Sequence, residues 1–477
     1  VSEFVEQVEL EHNHEFDGQI DREKLKTFIA QNRAKYIEAR PKGFLKANGL
    51  GDNLNKDGGF FGGVPQHWML DWPIPFPLFV DSAKGVKIKD IDGNELIDLC
   101  LGDTGAMFGH SPMATQKALN EAGENGLTSM LPSKYADFVG AKLAQIFGLP
   151  NWQLALTASD ANRFALRIAR LTTGRQKILV FDGCYHGAVD ETTVCLDKNG
   201  KTIAKPSLWG SAFDPAINTY CVPFNDEIEI EGILSGQDVA CIIMEPALTN
   251  CGIVPPMNGF LEFVIKCAKK YGTLVLMDET HTLSTGYGGY SKVHNLKPDL
   301  FVAGKAVAGG VPCAIWGFSD EIKDALEKGR ANLPSGHSGI GTTLGGSLLQ
   351  LSALKYSIEC LLTPQTYEKM IESAKALEEE LLKIINSLNL NWSIVRIGAR
   401  LEIIFSKEIP KNADEMRAIF DYELEEALHL GLINHGFLVT PFHNMLLAGP
   451  DLNKENILQY SQAVQDIIKS ILKNKGE

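Results

Sequence analysis

Two residues carry the types and setting for chemistry that the rest of the chain must position: Lys305 and Asp278. Residues 300–318 form a nineteen-residue apolar run whose only charge is Lys305. The run approaches the length of a membrane span, but Gly304, Gly309, Gly310, Gly317 and Pro312 make a poor spanning helix. A strand, a turn and a second strand fit better, as LFVA, GKAVAGGVP and CAIWGF. A lysine on a glycine-flanked turn between buried strands is poorly solvated, which favours its neutral amine, and such an amine can form a Schiff base. The plain alternative is a lysine whose stem packs while its head reaches water. Asp278 follows a second apolar run, TLVLM, and precedes Glu279 and Thr280. That reads as a short buried strand with a carboxylate pair at its C-terminal end. Taken alone, Asp278 could equally cap the turn that follows.

Several other chemistries are excluded. No G-x-G-x-x-G follows the first parallel strand, and Gly304-Lys305 is followed by Ala306, with Asp299 where a phosphate loop would place its first glycine. No H-E-x-x-H occurs, the eleven histidines are scattered, and no metal site is expected. What remains is a lysine, a strand-end aspartate, an aromatic turn (FDGCYHG, with Tyr185) and a small-residue loop opening a helix (TASDAN). Pyridoxal 5′-phosphate needs those groups: an amine for its aldehyde, a carboxylate for its ring nitrogen, a ring to stack on and donors for its phosphate. Ser159 and the 158–160 amides would begin a helix over 160–171 and face the phosphate. An ordinary serine N-cap is the alternative there, and Tyr185 could be simple core.

The elements that must hold these groups follow from the remaining chain. At 477 residues it exceeds a single-core domain, so two domains and ample burial are expected. The net charge of −14 makes nucleic acid and anionic membranes improbable partners. Nine cysteines, an odd number without a C-x-x-C pair, point to reduced thiols, and the acidic N-terminus lacks an apolar signal core. A cytoplasmic setting is the expectation. Residues 21–40 have helical spacing, with Leu25, Phe28, Ile29, Tyr36 and Ile37 on one face, ended by Pro41 and Gly43. A Gly- and Asn-rich loop is expected over 47–66, then a hairpin turning at Asp92-Gly93. From Asn151 strands (LALTA, KILVF, VACIIM, TLVLM, LFVA) alternate with helical stretches such as 160–171 and 259–271. That rhythm implies an α/β fold, a largely parallel sheet with its site at the strands' C-terminal ends. From Gly346 a long helix, a short sheet around 392–405 and a terminal helix suggest a smaller domain.

These residues resemble the class III pyridoxal-phosphate aminotransferases, over about 72–450. The family's Asp-Glu-Val becomes Asp278-Glu279-Thr280, and PDLFVAGKAVAGGVP follows at the expected distance, with Lys305 27 positions after Asp278. FDGCYHG resembles the ring-stacking turn, TASDAN stands where the family has Ser-Gly-Thr-Glu-Ala-Asn, and IGTTLGGS resembles the segment whose threonine, here Thr343, reaches a neighbouring subunit's phosphate. MEPALTNCGIVPP resembles the glutamate-1-semialdehyde aminomutase-like branch, with Asn250.

The resemblance implies a fold-type I enzyme: a large domain with a mainly parallel seven-stranded sheet flanked by helices, plus a smaller α+β domain. The divisions expected are an N-terminal helix and arm (1–70), a cofactor-binding domain (71–345) and a small domain (346–477). It implies Lys305, Asp278 and Tyr185 as catalytic, and Ala158, Ser159, Asp160, Tyr185, His186, Glu245, Asn250, Asp278, Thr280, Lys305 and Thr343 as cofactor-binding. Thr280 would replace a valine beneath the ring. The implied activity moves an amino group from an amine or amino acid, β- and ω-amino acids included, to a 2-oxo acid, through a Lys305 Schiff base and pyridoxamine 5′-phosphate. A homodimer with shared active sites goes with it. The alternatives are an intramolecular aminomutase, a racemase or epimerase, and a cofactor-binding protein without turnover.

Two departures bear on substrate. TPFHNMLLAGP contains no arginine where 2-oxoglutarate-using relatives have one, and GGVPQHW has none where the aminomutases bind a carboxylate. Arg163, Arg396 and Arg400 are the remaining cations considered. The last two are read as sharing one strand face with Gly398 and Glu402, and surface pairing is the plain reading of each.

Overall fold

The computed structural model describes residues 18–50, 59–332, 334, 336 and 338–473. The N-terminal stretch read for a signal core, and part of the expected 47–66 loop, lie outside the described residues. Seven strands form the central sheet, in the spatial order Thr219–Val222, Lys177–Phe181, Val239–Met244, Leu274–Asp278, Leu300–Ala303, Ala314–Phe318, Asn151–Ala155. The first five are mutually parallel; Ala314–Phe318 runs antiparallel to both neighbours. Every residue of Val239–Met244 and Leu274–Asp278 is buried. Helices cover both faces of such a sheet, so its strands read as continuous apolar runs rather than alternating ones. The expected α/β class with a mainly parallel seven-stranded sheet is the one observed.

Boundaries differ in informative places. The LALTA strand is Asn151–Ala155, and the helix after it is Ala158–Thr173, starting two residues before the expected 160. Its N-cap is Thr157, whose hydroxyl accepts from the Asp160 amide at 3.1 Å; Ser159 lies inside the first turn. A threonine in extended conformation satisfies an orphan donor as well as a serine does. The strand Thr219–Val222 was absent from the sequence reading, because TYCV is too short to show a period. Pro41 does not merely end the first helix, Arg22–Glu38; it opens another, Pro41–Ala47, at the position where its missing N–H costs nothing.

The hairpin turns at Asp92-Gly93 as expected, between Lys87–Asp90 and Glu95–Asp98, with Gly93 at φ 96°. It then pairs in parallel with Phe437–Leu438 from the C-terminal region. The long C-terminal helix is two, Leu348–Cys360 and Pro364–Leu388, with the second restarted by a Thr363 cap and Pro364. Ser393–Ile397, Arg400–Ile404 and Met445–Leu447 form a three-stranded antiparallel sheet against which the second of them packs. Arg396 and Arg400 therefore do not share one strand. A turn at Gly398, φ 60°, puts them on the two arms of a hairpin, with Arg400 opposite Ile397. No helix among the described residues is long and apolar enough to cross a membrane.

Candidate active site

A cleft of about 910 Å³ opens at the C-terminal ends of the parallel strands. Its lining brings together Ala158, Ser159, Tyr185, His186, Glu245, Asp278, Thr280 and Lys305. Asn250 sits behind it, donating to Glu245 Oε1 at 3.1 Å. Asp160 turns back on Thr157 (2.9 Å to its hydroxyl) and is not in the lining. Thr343 is exposed and lies outside the cleft of its own chain.

Lys305 follows the strand Leu300–Ala303 through Gly304. A Cβ on Gly304 would stand 3.0 Å from the Ala158 Cβ and 3.3 Å from its amide nitrogen. Glycine thus lets the lysine strand close on the start of the helix Ala158–Thr173. Lys305 itself takes φ 49°, a left-handed conformation costing a side-chain-bearing residue about 1–2 kcal/mol. Its side chain is 29% exposed, and Nζ lies 2.5 Å from Asp103 Oδ2. The expectation of an isolated lysine is corrected here: an acid stands beside it. Asp103 comes from a loop in which Leu101, Gly102, Asp103 and Thr104 all have positive φ. Asp98 Oδ1 accepts the Cys100 and Leu101 amides at 2.8 Å each, and the Arg400 guanidinium donates to the Thr104 hydroxyl, which together hold that shape.

Asp278 ends its strand with both oxygens engaged. Oδ2 accepts from Asn162 Nδ2 at 2.8 Å and faces His186 Nδ1 at 3.0 Å; Oδ1 accepts from the Thr280 amide at 3.1 Å and hydroxyl at 2.7 Å. Burial works to raise this carboxyl, but His186, Thr280 and Asn162 outweigh it and hold it below the usual range. Burial likewise disfavours the His186 imidazolium, yet Cys184 and Asp278 push that group up. The turn-capping bond from Thr280 and a buried anion facing the cleft therefore coexist in one side chain. Tyr185, by contrast, is 55% exposed on the cleft wall, which excludes the simple-core reading.

Of the arginines, Arg163 pairs with Asp160 at 3.9 Å and Arg396 with Glu378 at 2.5 Å, both away from the cleft. Arg400 is fully buried behind Asp103 and Thr104, and its Nε has no partner among the described residues. It faces the charges of Asp103, Cys100, Glu245 and Glu402, with burial pulling its own basicity down.

These groups fit pyridoxal 5′-phosphate. The cleft offers an amine at Lys305, a buried anion at Asp278, an exposed ring at Tyr185, and the first-turn amides of Ala158 and Ser159, which have no partner among the described residues. A helix start with free amides suits a dianion.

The class-III aminotransferase profile matches residues 71–468. The chain belongs to that family. The glutamate-1-semialdehyde 2,1-aminomutase of Bacillus subtilis is 32% identical over 400 residues, covering 81% of this chain and 90% of that protein. A glutamate-1-semialdehyde aminomutase from Pseudomonas aeruginosa PAO1 superposes with a TM-score of 0.91 at 37% identity, covering 95% of this chain and 100% of the other. A lysine-substituted form of that enzyme in complex with PMP superposes equally well. The family is thus pyridoxal-phosphate-dependent and the fold is that of fold-type I enzymes.

Sequence reasoning missed Asp103, Arg400's proximity to it, and His281. Gly102-Asp103-Thr104-Gly105, a charge between small turn residues after a hairpin, was the available signal for the first. His281 and its partner Thr249 carried none.

Proposed function

We propose that the protein moves amino groups at Lys305 with pyridoxal 5′-phosphate. The observation that carries this is a lysine and a buried, charge-held aspartate lining one cleft in which a helix also starts with free amides. When bound, the cofactor supplies an aldehyde and a ring that stabilises negative charge on the substrate carbon. Asp278 keeps the ring nitrogen protonated. Tyr185 offers a flat face and Thr280 a small polar one. The amides of Ala158 and Ser159 hold the phosphate, with the Ser159 hydroxyl already accepting from the Ala188 amide at 3.0 Å. Lys305 Nζ would hold the cofactor's aldehyde and, when free, would carry the proton taken from the substrate carbon.

Among the finer readings, an intramolecular amino shift of the glutamate-1-semialdehyde type has the support of the relatives at 32% and 37% identity. Transfer to a 2-oxo acid is the second reading, favoured by the absence of an arginine in GGVPQHW. A ¹⁵N-labelled amino carbonyl compound incubated with and without a 2-oxo acid separates them. Isomerisation without the 2-oxo acid supports the shift, and a strict requirement for it supports transfer. If no amine in a broad panel changes the bound cofactor's absorbance, both are overturned.

A homodimer with shared sites, a three-part division at 70 and 345, and a cytoplasmic setting belong to the same reading. Met113, Leu119, Leu127, Met130, Leu131 and Leu344 are large apolar side chains left exposed, with Leu119 on the cleft lining and Leu344 next to Thr343, which supports a covering partner.

A further inference from the structure

His281 connects Lys305 to a buried acid that the proposed mechanism does not use. Its Nε2 meets Lys305 Nζ, and its Nδ1 lies 3.0 Å from Thr249 Oγ1. Thr249 in turn donates its only hydroxyl proton to Glu245 Oε2. Glu245 Oε1 is taken by the Asn250 amide at 3.1 Å, leaving Oε2 as the end of the line. With Glu245 ionised, these bonds fix the tautomer. With the Thr249 proton spent on Glu245, the 3.0 Å contact requires Nδ1–H to donate to Oγ1. Nε2 is then a lone pair that accepts from Lys305. The result is an unbroken chain of one polarity: Nζ–H to Nε2, Nδ1–H to Oγ1, Oγ1–H to Oε2.

We propose that His281 and Thr249 form a relay that moves a proton between Lys305 Nζ and Glu245 Oε2. The inference rests on Lys305 being the amine that works on substrate. In the outward direction the Nζ proton passes to Nε2, the Nδ1 proton to Oγ1 and the hydroxyl proton to Oε2. Three bonds to hydrogen break and three form, leaving a neutral amine and a neutral carboxyl with every hydrogen bond reversed. The inward direction restores the start.

The surroundings suit both ends. Thr249, His281 and Glu245 are all buried, so the path between the two ends runs through protein. Burial, against the pull of Asp103, and the positive charges of Lys305 and Arg400 hold His281 down to about 3, so it serves as a neutral conductor rather than a trap. Burial pushes Glu245 up to about 7, against His186, Thr249 and Asn250, with Asp278 acting in the same sense as burial. A carboxyl in that range exchanges protons near neutrality at little cost. The other titratable groups facing the chain are Asp103 at the lysine end, Arg400 facing both Asp103 and Glu245, and Asp278, His186 and the Cys251 thiol at the glutamate end. Asp103 is a poorer acceptor than Glu245, because, against burial, the positive charges of Lys305 and Arg400 hold its carboxyl far below the usual range.

The relay is read most directly in wild-type protein labelled with ¹⁵N-histidine, assigning His281 by its loss in His281→Asn. In cofactor-free protein the expected spectrum is a neutral imidazole from pH 5 to 9, in the Nδ1–H form above pH 7 where Glu245 is ionised. An imidazolium anywhere in that range, or an Nε2–H tautomer above pH 7, overturns the proposal without any activity measurement. In Thr249→Val, which keeps the shape and removes the hydroxyl, the substrate-proton step of the cofactor-loaded enzyme should slow about 100-fold. Thr249→Ser should recover most of the rate, and amine binding should change little in either. Unchanged proton transfer in Thr249→Val sinks the relay. Borohydride reduction of loaded wild type separates the two readings: label away from Lys305 removes the underlying function, whereas label on Lys305 with an unslowed Thr249→Val removes the relay alone.

Discussion

Replacing Asp278 by asparagine tests the centre of the proposed site, because four donors converge on that carboxylate. Asparagine brings one acceptor oxygen and one NH₂. If its oxygen keeps Asn162 and His186, its NH₂ must face the Thr280 amide, donor against donor, while the Thr280 hydroxyl can turn to accept. Turned the other way, it faces the Asn162 NH₂, again donor against donor. Either way at least one buried donor loses its acceptor, at about 1–3 kcal/mol, and His186 loses its counter-charge. Breaking one side of a buried ion pair costs about 3–5 kcal/mol in stability. The chemical step should fall 10²- to 10³-fold, about 3–4 kcal/mol, as for loss of one preorganised charge at a developing one.

The pH dependence has a definite sign. Asp278 is held below its ordinary value, so its contribution is present above about pH 3.9 and is lost as pH falls through the folded value. His186 is raised, so its contribution is complete below about pH 6.5 and is lost as pH rises through the folded value. The stability difference between wild type and variant should therefore be widest from about pH 4 to 6.5 and narrow on both sides. Rapid mixing of loaded enzyme with amine gives the rate, and denaturant melts across pH give the stability. A rate loss below tenfold, about 1.4 kcal/mol, would reduce Asp278 to a turn cap.

Three further outcomes are expected. Borohydride reduction and peptide mapping should mark Lys305, and Lys305→Ala should keep cofactor while losing substrate proton transfer by several orders of magnitude; wild-type turnover in that variant removes the lysine from the reaction. Glu245→Gln should flatten a slope in stability against pH. A buried acid raised to about 7 makes wild type lose stability relative to the variant as pH climbs from about 4.5 to 7, by on the order of 3 kcal/mol, and parallel curves would refute the assignment. Mixing Lys305→Ala with an inactive Thr343-loop variant should restore activity after subunit exchange if sites are shared, since one site per mixed dimer then carries neither lesion; no recovery, with exchange confirmed, refutes sharing.

What the sequence alone determined was whatever depends on neighbours along the chain. Lys305 stood out because one charge interrupts a buried run, and Asp278 because it closes a strand. The parallel sheet was visible because its strands, buried on both faces, leave unbroken apolar runs. The helix start slipped by two residues where Thr157 caps as well as Ser159 would, and Thr363 with Pro364 restarted what read as one long helix. Tertiary structure decided everything that depends on distant segments meeting. Asp103 meets Lys305 across 202 positions, and Arg400 meets Thr104 across 296. No local period announces such a pairing, because it is set by how a left-handed loop and a C-terminal hairpin pack on the sheet. Arg396 and Arg400 looked like one strand face until the turn at Gly398 sent them to different surroundings. His281 is the sharpest case: an unremarkable residue three positions after Asp278, which burial and the charges of Lys305 and Arg400 keep neutral and only the fold joins to Thr249 and Glu245.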